Sequence, residues 1–174
     1  SGLTSVTIPN SVMSIGWKAF EGCNSALYDT TTIPGVLLVD GWAAGYDESC
    51  SGDLDLTGVK GIAGGAFHGC SSVTSVTIPD SVTSIGYQAF WYCGSLTSVT
   101  IPDSVTSIGG GAFACSGLTS IAIPDSVTSI GGDAFSACNS ALYDTTTIPG
   151  VLLVDGWAVG YDESCSGDLD LTGV

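Results

Sequence analysis

The chain has 174 residues and a mass of 17.4 kDa, enough to bury a core of its own. Seventeen acidic residues stand against two lysines, Lys18 and Lys60, giving a formal charge of -15 although only 11% of residues are charged. That balance excludes nucleic acid and anionic lipid as partners, and a hydrophobic fraction of 44% with a mean hydropathy of +0.45 excludes a disordered chain. Apolar runs such as residues 35–39 are far too short for membrane insertion. With one histidine, His68, and no nucleophile motif, the sequence offers no acid–base machinery and calls for no cofactor, so it is read as non-enzymatic.

In chain order, residues 1–23 open with alternating Val6 and Ile8, the pattern of a strand with one buried face, and Pro9 closes it. A second extended piece at 12–15 leads through Gly16 into Ala19-Phe20 and then Cys23. The same order of events recurs: TSVTIPDSVTSIG stands at 74–86 and at 97–109, with variants at 4–16 and 119–131. Thr74 to Thr97 is 23 residues and Thr97 to Thr119 is 22, so the unit is a coil of about 23. Between coils lies a different segment, residues 24–59, which returns at 139–174. Residues 1–59 match 116–174 at 50 of 59 positions with an offset of 115, five coil lengths. The odd segment is therefore expected to fill a whole number of coils. Seven cysteines, each following an Ala-Phe pair or its counterpart, are expected to mark seven coils of one solenoid spanning 1–174, a window on a longer array.

One coil cannot bury its own Val, Ile and Phe side chains. Stacking coils at the interstrand spacing of about 4.8 Å satisfies their backbones and makes a continuous core. The expected fold is β-dominated, with parallel stacked coils and at most a helical turn around each Ala-Phe.

The pattern L-x-x-V-x-I-P-x-S-V-x-x-I-G-x-x-A-F-x-x-C, seen at 96–115 with one deletion, closely resembles the BspA-type leucine-rich repeat of bacterial surface proteins, found also in treponemes and trichomonad protists. The resemblance implies a leucine-rich-repeat solenoid, secreted or at the cell surface, that adheres to an extracellular protein or glycan and has no catalytic residues. A second expectation is a structural fibre, in which copies stack end to end.

Several groups are candidates for chemistry or contact. One cysteine per coil reads as a buried thiol ladder rather than as disulfides or a zinc site, because the count is odd and no C-x-x-C pair occurs. The turn residues Asp80, Asp103 and Asp125, with Asn10, read as turn formers bonding their own backbone. Asp47, Glu48, Asp53 and Asp55, repeated as Asp162, Glu163, Asp168 and Asp170, are weak calcium candidates whose order matches neither an EF-hand nor an RTX nonapeptide. Ser and Thr pairs such as Ser98 with Thr100 form a hydroxyl array that reads as a solvated sheet face; Ala122 and the acidic turns weaken an ice-binding alternative. The best contact candidates are Trp17, Tyr87, Trp91 and Tyr92, aromatic where sister coils carry Gly132, Gly110 or Ala114, and so not demanded by the repeat. Trp42 and Tyr46 recur as Trp157 and Tyr161 and read as structural.

Overall fold

Short Thr/Val/Ile/Ser segments bounded by Pro and Gly produce short strands, and the computed structural model, which describes residues 2–147 and 151–161, contains eleven of them. The only helical elements among the described residues are two three-residue 3-10 turns, Ser25–Leu27 and Ser140–Leu142.

The strands β3 (Gly52–Asp55), β5 (Val73–Thr77) and β7 (Ser98–Thr100) form one parallel ladder, with Leu54 against Val76 and Val76 against Val99. A second parallel ladder runs through β4 (Gly61–Ile62), β6 (Ser84–Ile85), β8 (Ser107–Ile108) and β9 (Ser129–Ile130), one strand from each of four successive coils. The Ala-Phe turns make a third ladder. The N–H groups of Phe67, Phe90 and Phe113 donate to the carbonyls of Ala89, Ala112 and Ala134, each at 2.8 Å. Along the axis inside, the rings of Phe67, Phe90, Phe113 and Phe135 stack face to face with centroids 5.1, 5.5 and 5.7 Å apart. The proline turns close on backbone, Val82 N–H to Pro79 O and Val105 N–H to Pro102 O. The serine after each turn aspartate bridges coils, Ser104 Oγ donating to Val82 O at 2.7 Å and Ser126 Oγ to Val105 O at 2.8 Å.

Two features depart from a uniform stack. The odd segment folds as an antiparallel hairpin, β1 (Val36–Val39) with β2 (Trp42–Tyr46), repeated as β10 (Val151–Val154) with β11 (Trp157–Tyr161). Its two-residue turn is Asp40-Gly41, with φ of 47° and 81°, the left-handed pair that a tight hairpin requires. β2 joins the long ladder through Trp42 against Gly61 and Ala43 against Ile62. The hairpin is thus a two-faced insert: Val36, Leu38 and Ala43 enter the main core, while Val39 and Trp42 pack with Ile8, Val12 and Ile15 of the first coil and with Leu27 of the 3-10 turn. Asp40 ties the insert to that coil by accepting the Ile8 N–H at 2.8 Å, and Asp155 repeats this on Ile123 at 2.6 Å. The second departure is the first coil itself. Residues 2–23 carry no strand in the ladder; Ile15 O accepts Gly64 N–H, and Met13 O accepts the Ser84 hydroxyl three coils further on. The first coil therefore reaches along the serine-bearing outer side of the ladder as far as the fourth.

Candidate binding surface

Each Gly-x-x-Ala-Phe-x-x-Cys turn uses two left-handed backbone positions. Lys18, Gly65, Gln88, Gly111 and Asp133 occupy the first, and Gly22, Gly69, Tyr92, Cys115 and Ala137 the second, all with φ between 50° and 78°. A residue with a β-carbon costs roughly 1–2 kcal/mol there. Lys18, Gln88 and Tyr92 hold side chains at positions that sister coils give to glycine.

These turns bring all four aromatic candidates together. Trp17 and Tyr87 hold equivalent places in their coils, with Gly64 between them; their rings lie 6.1 Å apart, nearly edge to face. Trp17 lies over Gly64 and Gly65, where a β-carbon on Gly65 would come within 2.5 Å of Cε3 of the indole. His68 joins the rest. Its ring meets Trp17 at 5.1 Å, Trp91 at 4.8 Å and Tyr92 at 6.5 Å, and Trp91 meets Tyr92 at 4.8 Å. The result is a row of edge-to-face rings rather than a closed cage. Tyr87 and Tyr92 remain 55% and 54% exposed and Trp17 37%, so aromatic surface is left for a partner. Sequence reasoning does not single out His68 as a contact residue, yet it stands at the place of Trp91, one residue after the core phenylalanine.

Beside the row opens a cleft of 530 Å³ between the first coil, the hairpin and the turn of the third coil, lined by Lys18, Glu21, Leu37, Ala44, Tyr46 and His68 among others. Lys18 Nζ and Glu21 Oε1 pair at 2.7 Å on its rim, and the ammonium lies 5.6 Å from the Trp17 ring centre. Tyr46, expected to be structural, donates its hydroxyl to His68 O at 3.0 Å and stacks on Phe67. Tyr28 fixes the opposite wall through its hydroxyl on Phe20 O.

A family model for the BspA type leucine rich repeat region matches six copies, over residues 1–35 and 53–152, more than half of the chain. The chain belongs to that family. No curated protein matches it. Among solved structures it is similar to a leucine-rich repeat protein from Bacteroides capillosus, 34% identical over 61% of this chain and 83% of that one, with a TM-score of 0.51. It is also similar to a leucine rich cell surface protein from Faecalibacterium prausnitzii, 27% identical over 87% of this chain and 51% of that one, TM-score 0.46. The leucine rich repeat protein of T. pallidum is 38% identical over 48% of this chain and 40% of its own length, TM-score 0.45. The chain thus spans about half or less of the T. pallidum and Faecalibacterium proteins.

Within this BspA-type solenoid the other candidate groups take definite places. Cys50, Cys70 and Cys93 are buried free thiols along the core, and Cys138, also free, continues the line half-buried. Burial pushes the Cys93 thiol up to about 12. A hydrogen bond with the Cys70 thiol, and then burial, pushes Cys50 up as well. Cys115 is different: it sits at the left-handed position equivalent to Tyr92, partly exposed, and Ser116 fills the ladder. Ser116 N–H donates to Phe113 O as Cys93 N–H does to Phe90 O, and its hydroxyl lies 3.3 Å from Cys138 Sγ. The aspartates at the proline turns, Asp80, Asp103 and Asp125, are exposed, and those turns are closed by valine N–H groups rather than by carboxylates.

Of the calcium candidates, Asp47 accepts the Ser49 N–H and hydroxyl, and Asp55 the Thr57 N–H and hydroxyl. These bonds hold both carboxyls below the usual range. Asp53 accepts the Ser75 hydroxyl at 2.7 Å from the next coil, and Glu48 is exposed. Among the described residues no three His, Cys, Asp or Glu side chains gather as a metal site. Asp162, Glu163, Asp168 and Asp170 lie outside the described residues. No helix of the described residues is long and apolar enough to cross a membrane.

Proposed function

We propose that this chain is part of a secreted or surface-anchored, non-catalytic interaction module that adheres through the aromatic row on its turns to an extracellular protein or glycan. Membership of the BspA-type family supports the class, and the similarity to a protein described as a cell surface protein supports the location. The observation that carries the contact surface is the convergence of Trp17, Trp91 and Tyr92 on His68, with Tyr87 against Trp17 and with Trp17, Tyr87 and Tyr92 exposed. Solenoids present ligands with an extended side rather than a pocket, and exposed aromatic side chains are the usual anchors of such contacts. The test is a binding screen of the immobilised chain against extracellular matrix proteins and glycans, repeated with Tyr87→Gly, Trp91→Ala and Tyr92→Gly combined. Each substitution is the residue a sister coil uses at that place. Binding that survives all three substitutions would remove the row from the contact surface.

A further inference from the structure

Residues 1–59 and 116–174 are two copies of one segment that differ at nine positions. Five of the nine fall at one place: Trp17, Lys18, Glu21, Gly22 and Ala44 stand where the second copy has Gly132, Asp133, Ser136, Ala137 and Val159. Lys18, Glu21, Gly22 and Ala44 line the cleft, and Trp17 borders it through His68. The fold asks the same of both copies. Their hairpins share one register, and the Asp40 clamp on Ile8 recurs as Asp155 on Ile123. What separates the copies is therefore not hairpin formation or coil attachment, and it is concentrated on the wall of a cleft.

The chemistry of that wall narrows the ligand. Lys18 and Glu21 are paired with each other, so the rim offers hydrogen-bond donors and an acceptor with no net charge. A polyanion is repelled by a chain of formal charge -15 that has one other lysine, Lys60, itself 3.4 Å from Asp40. An organic cation would seek a cage of ring faces, but the rings form a row, and the Lys18 ammonium already lies over Trp17. A row of exposed rings beside neutral polar groups suits a ligand that alternates apolar C–H faces with hydroxyls. A cleft of 530 Å³ falls within the range of about 300–1,000 Å³ usual for small-ligand sites.

We propose that this cleft and the aromatic row beside it bind a neutral oligosaccharide, its pyranose faces on Trp17, Tyr87, Trp91 and Tyr92 and its hydroxyls on Lys18 and Glu21. This rests on the reading of the row as a contact surface and names the ligand class for it. The copy at 116–174, with glycine, aspartate and serine at the corresponding places, lacks the site.

The experiment is affinity electrophoresis of the whole chain in gels containing neutral polysaccharides (glucan, mannan, galactan, xylan) or heparin. Two variants serve: Lys18→Asp/Glu21→Ser/Ala44→Val, which writes the second copy's residues into the first, and Tyr87→Gly/Tyr92→Gly. Both draw on residues that sister segments carry, and a melting curve for each confirms folding. The expected result is retardation by at least one neutral polysaccharide and not by heparin, weakened at least about tenfold in both variants. No retardation by any neutral polysaccharide, retardation by heparin alone, or full binding by the folded cleft variant would overturn the proposal. If the neutral gels are blank while a matrix protein is still captured through the row, the glycan assignment fails and the contact surface stands. Blank results in both screens remove both.

Discussion

The phenylalanine stack gives the sharpest test of how the solenoid is held together. Phe113 and Phe135 are equally buried, at 0% and 1% exposure, so an argument from area alone predicts equal costs for replacing them. The geometry predicts otherwise. Phe113 stacks on Phe90 at 5.5 Å and on Phe135 at 5.7 Å, with interplanar angles of 2° and 10°, whereas Phe135 has one stacked neighbour among the described residues. Each such pair contributes about 0.5–1.5 kcal/mol beyond burial, and leucine keeps most of the volume at a further cost below about 1.5 kcal/mol. Phe113→Leu should then lose about 1–3 kcal/mol of stacking and Phe135→Leu about half of that. Urea unfolding followed by far-UV circular dichroism measures both, and the m-value must stay constant for the comparison to hold, since a stack of coils unfolds in parts when cooperativity is broken. A Phe90→Leu/Phe113→Leu double variant adds the coupling between neighbours. Equal losses for Phe113→Leu and Phe135→Leu, or a greater loss for Phe135→Leu, would refute the claim that ring stacking along the axis adds to burial.

Alkylation of the native chain with iodoacetamide, followed by peptide mapping, should label Cys115 well before Cys70 and Cys93, because Cys115 has left the buried ladder; equal labelling would contradict the Ser116 register. Stability should fall as pH rises above about 9, by up to about 1.4 kcal/mol per unit from Cys93 alone. The sign follows from a thiol at about 12 in the folded chain against 9.0 for an unburied one: the unfolded state loses its proton first, so ionisation favours unfolding. A Cys93→Ala variant should flatten that slope in pH-dependent urea unfolding. Gly61→Ala should cost about 1–3 kcal/mol as an overpacked site, because a β-carbon there would lie 2.6 Å from Cε3 of buried Trp42; thermal melting checks this, and pairing it with Trp42→Leu should recover part of the loss. Tyr92→Gly should melt no lower than the parent, since glycine relieves a φ of 59°, while weakening ligand capture.

The repeat makes most of the solenoid legible because its physical requirements are written into each coil: alternating Val and Ile for a half-buried strand, Pro for the turn, Ala-Phe for the core. The exceptions have specific causes. The hairpin is signalled by Asp40-Gly41, set between apolar runs at two-residue spacing, but coil counting in multiples of 23 masks that local signal. The cysteine register fails at one coil because Phe113 and Cys115 are two apart instead of three, and the structure places the deletion after Ser116, keeping a small side chain in the core. The position of the first coil is not legible at all. Residues 14–16 and 129–131 have the same sequence, yet only Ser129 and Ile130 stand in the ladder, on Ser107 and Ile108. What differs is the neighbour each coil has to stack on, which no local pattern encodes. The aromatic candidates emerge from asking which positions vary between coils. His68, Lys18 and Glu21 vary by the same criterion, but none of them stands out when judged singly.

That criterion works here for a physical reason. In a globular domain each surface residue has its own surroundings, so a side chain unnecessary for folding cannot be told from a necessary one by inspection. In a stack of near-identical coils the surroundings repeat, and a position filled by glycine in one coil and tyrosine in another has been tried both ways in the same fold. The left-handed position of Tyr92 makes the comparison quantitative. Gly22 and Gly69 satisfy it without strain, whereas tyrosine there carries roughly 1–2 kcal/mol of backbone cost. Lys18 stands in the same relation to Gly65 and Gly111. Neither side chain is compensated by burial, since both are exposed. Strain alone does not mark the row, since Asp133 and Ala137 hold the same left-handed backbone at exposed positions of a turn without exposed rings. What sets Lys18 and Tyr92 apart is the large side chain each adds beside the row, on turns whose backbone the ladder already fixes.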